Sequence, residues 1–297
     1  MSMLAYGFAQ RALVGGVLIA VLCSMISFFV VVRRLAFVGM GISHAAFGGV
    51  AIGLVIGINP ITAAGFFCVL VAVGIGWFSR RGYLHEDTVI GILFATAMAF
   101  GVLLVSIADV YNLDLMSYLF GSILAMSWAD ITALAVLGVL VISFLALFFK
   151  ELLFFSFDEE TATASGLPIR LVYYGLLIAI ALTIVVSIKL VGIILVSALL
   201  VVPGATGVQL SKNYRGVLVV SLLTGVISVV LGLYLSFWYD IPSGATIVLV
   251  LFAIFLAAMA LSPRQQASER IEVPRVVSEA QVADYLRGKL EGAEGPL

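Results

Sequence analysis

Long apolar runs constrain this chain more than any other feature of its sequence. A helix needs about 20 apolar residues to cross the hydrocarbon core of a bilayer, and nine stretches approach or reach that length. Only 10% of the residues are charged, whereas soluble domains carry about 25%. The sequence therefore predicts an all-α, polytopic integral membrane protein with about eight or nine transmembrane helices. The runs cover residues 12–32, 35–57, 61–78, 88–108, 131–149, 170–187, 190–210, 216–237 and 244–261.

Charged residues at the turns predict the orientation of these helices. Lysine and arginine are enriched in the cytoplasmic loops of membrane proteins, and here they occupy alternate turns. We therefore expect the N-terminus outside the cell and the C-terminus in the cytoplasm. Asp114 and Asp240 fall on the outer face, where they either attract cations or are ordinary solvated loop residues. The inner basic residues are Arg33, Arg34, Arg80, Arg81, Lys150, Arg170, Lys212 and Arg215.

One histidine lies deep inside the second apolar run. At about 1.5 Å per residue, His44 is roughly 15 Å past Arg34, near the middle of the bilayer. An imidazole at this depth is expected to face protein or a watery path rather than lipid. It is either packed between helices or lines a route for a species that binds imidazole. Small residues surround it and allow close helix packing: Gly39, Gly41, Ala45, Gly48, Gly49 and Gly53.

The sequence between Lys150 and Arg170 predicts a short cytoplasmic helix over about residues 156–168. Ser156 and Glu159 have the spacing of a capping box, and Gly166 is suited to end the helix. Similar reasoning places the start of a transmembrane helix at Ser127, with Asp130 three residues later.

Three other segments interrupt the simple pattern of spans. Pro203-Gly204 predicts a helix break in the seventh run, which is either a packing kink or a place that moves. Residues 109–130 are too apolar for an ordinary loop and predict a re-entrant or interface-lying helix. Residues 263–297 are rich in charge, so we expect a permease domain over 1–262 and a cytoplasmic tail that is either loosely ordered or contains a small amphipathic helix at 278–290.

Several kinds of chemistry find no support in the sequence. No P-loop pattern GxxxxGK[ST] occurs, so we expect no ATPase site and no enzyme activity in this chain. A net charge of -1 gives no reason to expect nucleic-acid binding. His85 beside Glu86 and Asp87 could hold a metal, but two acids also suit a helix start. Cys23 and Cys68 lie in apolar runs and are interpreted as small buried hydrophobes.

Five segments in order resemble the membrane subunits of metal-ion ABC importers, which carry zinc, manganese or iron(II). They are FVGMGISHAAFGGVAIG, LMSYLFGSILAM, FDEETATASGLP, KLVGIILVSALLVVPGATG and YDIPSGATIVL, and the resemblance covers about residues 10–262. It implies a homodimer in a prokaryotic plasma membrane, two cytosolic ATPase subunits and an extracytoplasmic metal-binding protein. It also implies that the 156–168 helix docks on the ATPase, through Asp158, Glu159, Glu160 and Gly166.

The resemblance assigns a translocation pathway to His44, Met40 and Ser43, with His44 as a transient metal ligand and no permanently bound cofactor. The family commonly has an aspartate four residues before the histidine, and this chain has Met40 there. A soft thioether thus replaces a hard carboxylate. Zinc is the first choice of cargo because imidazole suits it well, followed by manganese or iron.

Two other functions remain open from the sequence. A secondary cation transporter or channel would share the spans, the histidine and the broken helices. It would need no ATPase-docking helix, and its coupling ion usually requires carboxylates deep in the membrane. A scaffold protein is the third interpretation, which His44 and its glycine-rich surroundings weaken.

Overall fold

The computed structural model describes residues 5–81, 86–107 and 126–262. These residues contain α-helices and no β-strand, and nine of their helical segments are long and apolar enough to cross a membrane. The predicted all-α, polytopic class is confirmed. The helices are α1 (Gly7–Val32), α2 (Ala36–Ile56), α3 (Pro60–Arg81), α4 (Glu86–Ile107), α5 (Trp128–Leu147), α6 (Phe149–Phe157), α7 (Glu159–Ala164), α8 (Ile169–Leu199), α9 (Val202–Leu210), α10 (Tyr214–Tyr239) and α11 (Ser243–Ala260).

Helices α1 and α8 form the centre of the bundle. Most of their residues are buried, and α1 contacts α5, α9 and α10 while α8 contacts α2, α3, α5 and α11. Helix α4 is the opposite case, because most of its surface outside its contact with α2 is exposed. The bundle therefore has a fully packed centre and a peripheral helix α4 held mainly by α2.

Helix α2 packs closely on α3 and α4 through the small residues that the sequence singled out. A Cβ atom at Gly49 would lie 2.5 Å from the Cα atom of Ala64 on α3. A Cβ atom at Gly101 on α4 would lie 2.9 Å from the Cα atom of Gly48. Side chains at these positions would force the helices apart, so the glycines bring α2 against both neighbours.

The chain reverses direction inside α8. Gly192 has φ 79 and ψ 165, a conformation that favours glycine. Before it, Val185 lies near Gly65, close to the start of α3. After it, Leu200 packs on Gly39, close to the start of α2. Because α2 and α3 are consecutive antiparallel spans, their starts lie at opposite faces of the bundle. The chain therefore crosses from one face to the other between Val185 and Leu200. The two pieces of α8 run in opposite directions, as the separate runs 170–187 and 190–210 predicted.

The break near Pro203 lies just before the proline rather than at it. Helix α8 ends at Leu199 and α9 begins at Val202, so Pro203 occupies the first turn of α9. A proline there sacrifices no hydrogen bond, because first-turn N–H groups have no partner within the helix. The N–H group of Gly204 instead donates to the Ser27 hydroxyl of α1 over 2.8 Å.

The predicted short helix is present but starts later than expected. Ser156 belongs to α6, where its hydroxyl donates to the Leu152 carbonyl over 2.6 Å. The capping box from Ser156 is therefore wrong, because the chain is still helical there. Asp158 caps α7 instead and accepts a hydrogen bond of 2.9 Å from the Thr161 N–H group. At the other end Gly166 has φ 75, the left-handed conformation expected of a helix-ending glycine.

The start of α5 agrees with its sequence signal. Ser127 is the N-cap, and its hydroxyl accepts from the Asp130 N–H group while the Asp130 carboxylate accepts from the Ser127 N–H group. Several other predictions concern residues outside the described ranges and stay predictions. These are the re-entrant segment up to residue 125, the outer-face Asp114, the possible His85 ligand and the tail 263–297.

Candidate functional site

His44 is half-buried in α2 with one ring nitrogen already engaged. Its Nδ1 atom lies 2.9 Å from the backbone carbonyl oxygen of Met40. A carbonyl oxygen can only accept, so Nδ1 must carry the proton in this hydrogen bond. The Nε2 atom then keeps its lone pair, which is the form of neutral imidazole that binds a metal ion.

Helix α4 sets the orientation of the imidazole from the other side. The rings of His44 and Phe94 meet edge to face, with centroids 5.2 Å apart and an angle of 87°. Met40 lies one turn earlier on α2 and is 43% exposed. Phe37, another turn back, is also exposed. We call Phe37, Met40 and His44 the His44 wall.

A cavity of about 250 Å³ lies beside the His44 wall, between α2 and α4. Met40 of α2 and Asp87 of the first turn of α4 are both among the residues that line it. The carboxylate that residue 40 lacks thus has a counterpart in the same cavity. The sequence showed Asp87 only as a helix-start acid or a partner of His85, since nothing in the spacing places it opposite Met40. The cavity is lined by Phe37, Met40, Gly41, Asp87, Ile90, Gly91 and Phe94.

Ser43 does not share the surface of its neighbours in the sequence. It is fully buried, and its hydroxyl donates to the Gly39 carbonyl over 2.7 Å. The Ser197 hydroxyl of α8 lies 3.4 Å from the Ser43 hydroxyl. The structure therefore joins Met40 and His44 on one face of α2 and places Ser43 at the contact between α2 and α8. Among the residues described, no three His, Cys, Asp or Glu side chains gather as a possible metal centre.

A second polar centre lies where α7 begins. Each carboxylate oxygen of Glu159 pairs with a different arginine, one from the end of α1 and one from the end of α3. The Arg33 Nη2 atom lies 2.9 Å from Oε2, and the Arg80 Nη2 atom lies 2.9 Å from Oε1. We call Arg33, Arg80 and Glu159 the Glu159 clamp. The predicted coupling residue Glu159 thus holds α7 against its own bundle.

Aromatic rings support both arginines of the clamp. The Arg33 guanidinium lies 3.9 Å from the ring centroid of Phe155, and that of Arg80 lies 4.5 Å from the ring centroid of Tyr173. The Tyr173 hydroxyl in turn donates to the Glu86 carboxylate over 2.9 Å. Cation–π packing and a charged hydrogen bond therefore extend the clamp from α7 to the first residue of α4.

The remaining predicted coupling residues face outward. Asp158 accepts hydrogen bonds from the Thr161 hydroxyl, over 2.5 Å, and from the Thr161 N–H group. The hydroxyl contact, followed by the backbone contact, lowers the pKa of the Asp158 carboxyl from its ordinary value of 3.8, so the cap is charged near neutral pH. Glu160 and Gly166 are exposed. They leave the outer surface of α7 available to a partner.

Asp240, the described member of the predicted outer acidic pair, ends α10. It is an exposed C-cap residue with φ 51 and ψ 46, a left-handed conformation that aspartate tolerates better than most residues. The Ser236 hydroxyl closes the same turn by donating to the Ile241 carbonyl over 2.6 Å. The local geometry explains Asp240 as a turn residue, and a role in attracting cations stays a prediction.

Comparisons with known proteins agree with the resemblance found in the sequence. The model of the ABC 3 transport family matches residues 5–262. A manganese transport system membrane protein of Halalkalibacterium halodurans, MntC, is 37% identical over 263 residues, which cover 89% of this chain and 90% of the relative. A manganese import system permease protein of Streptococcus gordonii, ScaB, is 33% identical over 89% of this chain and 95% of its own.

A solved structure extends this similarity to the fold. PsaBC from Streptococcus pneumoniae, determined in complex with a Fab, superposes with a TM-score of 0.78 at 30% identity. The match covers 88% of this chain and 94% of the matched chain. The chain therefore belongs to the ABC 3 transport family, the membrane permease subunits of metal-ion ABC importers.

Proposed function

We propose that this chain is the transmembrane permease of an importer that carries a divalent transition metal into the cytoplasm of a prokaryote, with manganese as the first candidate. It works as a homodimer with two cytosolic ATPase subunits and an extracytoplasmic metal-binding protein. The observation that carries the proposal is His44. Because Nδ1 donates its proton to the Met40 carbonyl, the Nε2 lone pair can bind a metal ion from a partly exposed face of a membrane helix.

The exposure of the His44 wall supports the homodimer. A half-exposed imidazole in the middle of a span is costly next to lipid. A second copy facing this wall would remove it from lipid and enclose a route lined by both copies. The closed route would keep water and metal in contact with His44 while the rest of the bundle faces the bilayer.

Asp87 supplies a carboxylate ligand, the acidic step, on the same route for the passing ion. Met40 and Asp87 line one cavity next to His44, so an ion that leaves the imidazole meets a thioether and then a carboxylate. A single ligand of each type binds an ion weakly, which suits passage better than a deep trap. No ion is held permanently in this scheme, and the metal is cargo.

Two considerations order the possible metals. The relatives compared above are named for manganese, and the carboxylate of Asp87 is a ligand type that manganese prefers. Zinc, which the imidazole of His44 favours, remains the first alternative, and iron follows. We therefore place manganese ahead of zinc, in contrast to the order that the sequence suggested.

The surface of α7 supports the ATPase partner. This short helix presents Asp158 and Glu160 outward, while the Glu159 clamp fixes its inner side to α1 and α3. Such an element offers a firm, charged contact for a separate subunit. By the positive-inside rule it faces the cytoplasm, since Arg33 and Arg80 belong to the basic turns.

Reconstitution tests the proposal. The chain is inserted into vesicles with its ATPase and binding protein, and uptake of radioactive manganese and zinc is measured with and without ATP. We expect manganese uptake that requires ATP and all three components. Uptake by the permease alone, driven by an ion gradient, would instead establish the secondary transporter, and no uptake of any divalent metal would contradict the proposal.

A further inference from the structure

A continuous series of contacts joins α7 to α4 across the end of the bundle. Glu159 on α7 pairs with Arg80 on α3. The Arg80 guanidinium lies over the ring of Tyr173 on α8, and the Tyr173 hydroxyl donates to Glu86 on α4. The series therefore joins four helices through one side chain from each helix.

The geometry of this series is well defined although it is partly open to water. The side chains of Arg33, Arg80 and Glu159 are 17%, 30% and 40% exposed. A single ion pair at such exposure contributes little to stability. Here one carboxylate holds two guanidinium groups, and each guanidinium also packs on an aromatic ring. These combined contacts fix positions more than they add stability.

The two ends of the series are a very short helix and a peripheral helix. Helix α7 has only six residues, too few for a stable helix without tertiary contacts. The buried residues of α4 are confined to Val89, Ile90, Ala97 and Gly101. The hydrogen bond from Tyr173 to Glu86 therefore ties the first turn of a peripheral helix to the central helix α8.

Helix α4 is also the element that borders the proposed metal route. Asp87 follows Glu86 directly and lines the cavity beside Met40, and Phe94 contacts the ring of His44. A displacement of α7 that pulls on Arg80 would shift Tyr173 and Glu86, and with them the wall of the cavity. The contacts thus connect the surface that meets the ATPase with the surface that meets the metal.

We propose that Glu159, Arg80, Tyr173 and Glu86 are positioning residues that transmit the movement of α7 to α4 and so to the cavity beside His44. This inference rests on the proposed function, because it assumes an ATPase on α7 and a metal beside α4. It assigns Glu159 a role inside the permease, while Glu160 and the outer face of α7 make the contact with the ATPase.

The first test removes a single hydroxyl group. Tyr173→Phe keeps the ring beneath Arg80 and deletes the hydrogen bond to Glu86. Tyr174→Phe is the matched control, since it removes the neighbouring hydroxyl outside the series. In the reconstituted complex we expect Tyr173→Phe to lower metal taken up per ATP hydrolysed by about threefold, the scale of one lost hydrogen bond. ATPase association should not change, and Tyr174→Phe should behave like wild type.

The second test asks whether the residues act as one unit. Glu159→Gln is made alone and together with Tyr173→Phe, and uptake per ATP is measured for each. If both changes interrupt the same series, the double variant should be no worse than the more impaired single variant. Multiplied defects would show two independent effects and overturn the inference. Arg81→Gln, beside Arg80 but outside the series, is a control for loss of a single charge at this end of the bundle and should keep the wild-type ratio.

The outcomes separate this inference from the proposed function. Wild-type uptake with an unchanged ratio in Tyr173→Phe and Glu159→Gln would overturn the inference alone. Loss of ATPase binding in Glu159→Gln would also overturn it, because Glu159 would then belong to the docking surface. Absence of ATP-dependent uptake by the wild-type complex would contradict the proposed function itself. Membrane level and thermal unfolding of each variant show whether a defect comes from misfolding.

Discussion

The Glu159 clamp and the His44 wall are both polar groups in an apolar bundle, but they are completed in different ways. The clamp satisfies both oxygens of its carboxylate within one chain. In the wall, the partner of His44 is the Met40 carbonyl at Nδ1, and Met40 itself is exposed. A polar group whose partners lie within the chain holds helices in place, whereas an exposed polar group is available to bind a ligand. In our two proposals, the clamp transmits movement within the permease and the His44 wall meets the cargo.

Cysteine labelling tests on which side of the membrane the clamp lies. It has the largest expected effect, because each cysteine either reacts in intact cells or does not. We expect Asp114→Cys and Asp240→Cys to react with a membrane-impermeant maleimide in intact cells, and Arg81→Cys and Lys212→Cys to react only after the membrane is opened. The native thiols contribute little background because Cys23 and Cys68 are buried. The reverse pattern would put α7 outside the cell and remove the ATPase from the proposal.

The docking surface around the clamp comes next in expected size. Glu159→Ala opens the clamp that holds α7, and Glu160→Ala removes a charge from the outer face of α7. Gly166→Val forces a β-branched residue into a left-handed position, which costs about 1–2 kcal/mol. We expect the ATPase to be lost when the triple variant is purified from membranes, and uptake to stop. Co-purification and uptake at the wild-type level would show that α7 is not the docking element.

The two regions also differ in how far the sequence predicts them. The clamp pairs residues 33, 80 and 159, and no periodicity or short motif connects positions so far apart. The sequence showed only that Arg33 and Arg80 are on one side and that a short helix follows Ser156. Tertiary contacts alone bring them together. The preceding helix α6 continues through Phe157, so Asp158 rather than Ser156 becomes the cap.

The His44 wall was easier to predict because its residues belong to one helix. The spacing of Met40 and His44 by four residues puts them on one face, and their depth follows from the length of the run. Ser43, one residue away, points to α8, which the same periodicity could have indicated. Asp87 was missed as a route residue because its closeness to Met40 depends on how α2 crosses α4. Local patterns thus predicted the helices, and the crossings required the structure.

Substitution of His44 tests whether the His44 wall binds the transported metal. His44→Gln keeps a side chain that can hydrogen-bond but is a poor ligand for a transition metal. We expect manganese uptake to fall by about tenfold or more, in the range that loss of metal-site interactions produces. Membrane level and ATPase association should stay at their wild-type values, since the clamp is untouched. Uptake equal to wild type would mean that His44 is a packing residue and that the route is lined elsewhere.

The cavity beside the wall gives the smallest but most specific effect. Asp87→Asn removes its carboxylate, and we expect manganese uptake to fall a few-fold while zinc uptake falls less, because the thioether and imidazole remain. Met40→Asp alone should slow the release of bound metal and favour manganese over zinc. It places a carboxylate on α2, one turn from His44, where the family commonly has one.

Combining the two changes decides whether the cavity needs a carboxylate or needs Asp87 itself. Asp87→Asn also weakens the first turn of α4, where a negative charge contributes about 0.3–1 kcal/mol. Met40→Asp cannot repair that loss, because it lies on another helix. Recovery of manganese uptake in the double variant would therefore come from the restored charge in the cavity, whichever helix carries it. A double variant no better than Asp87→Asn would show that Asp87 acts only at the start of α4, and the acidic step would be removed from the route.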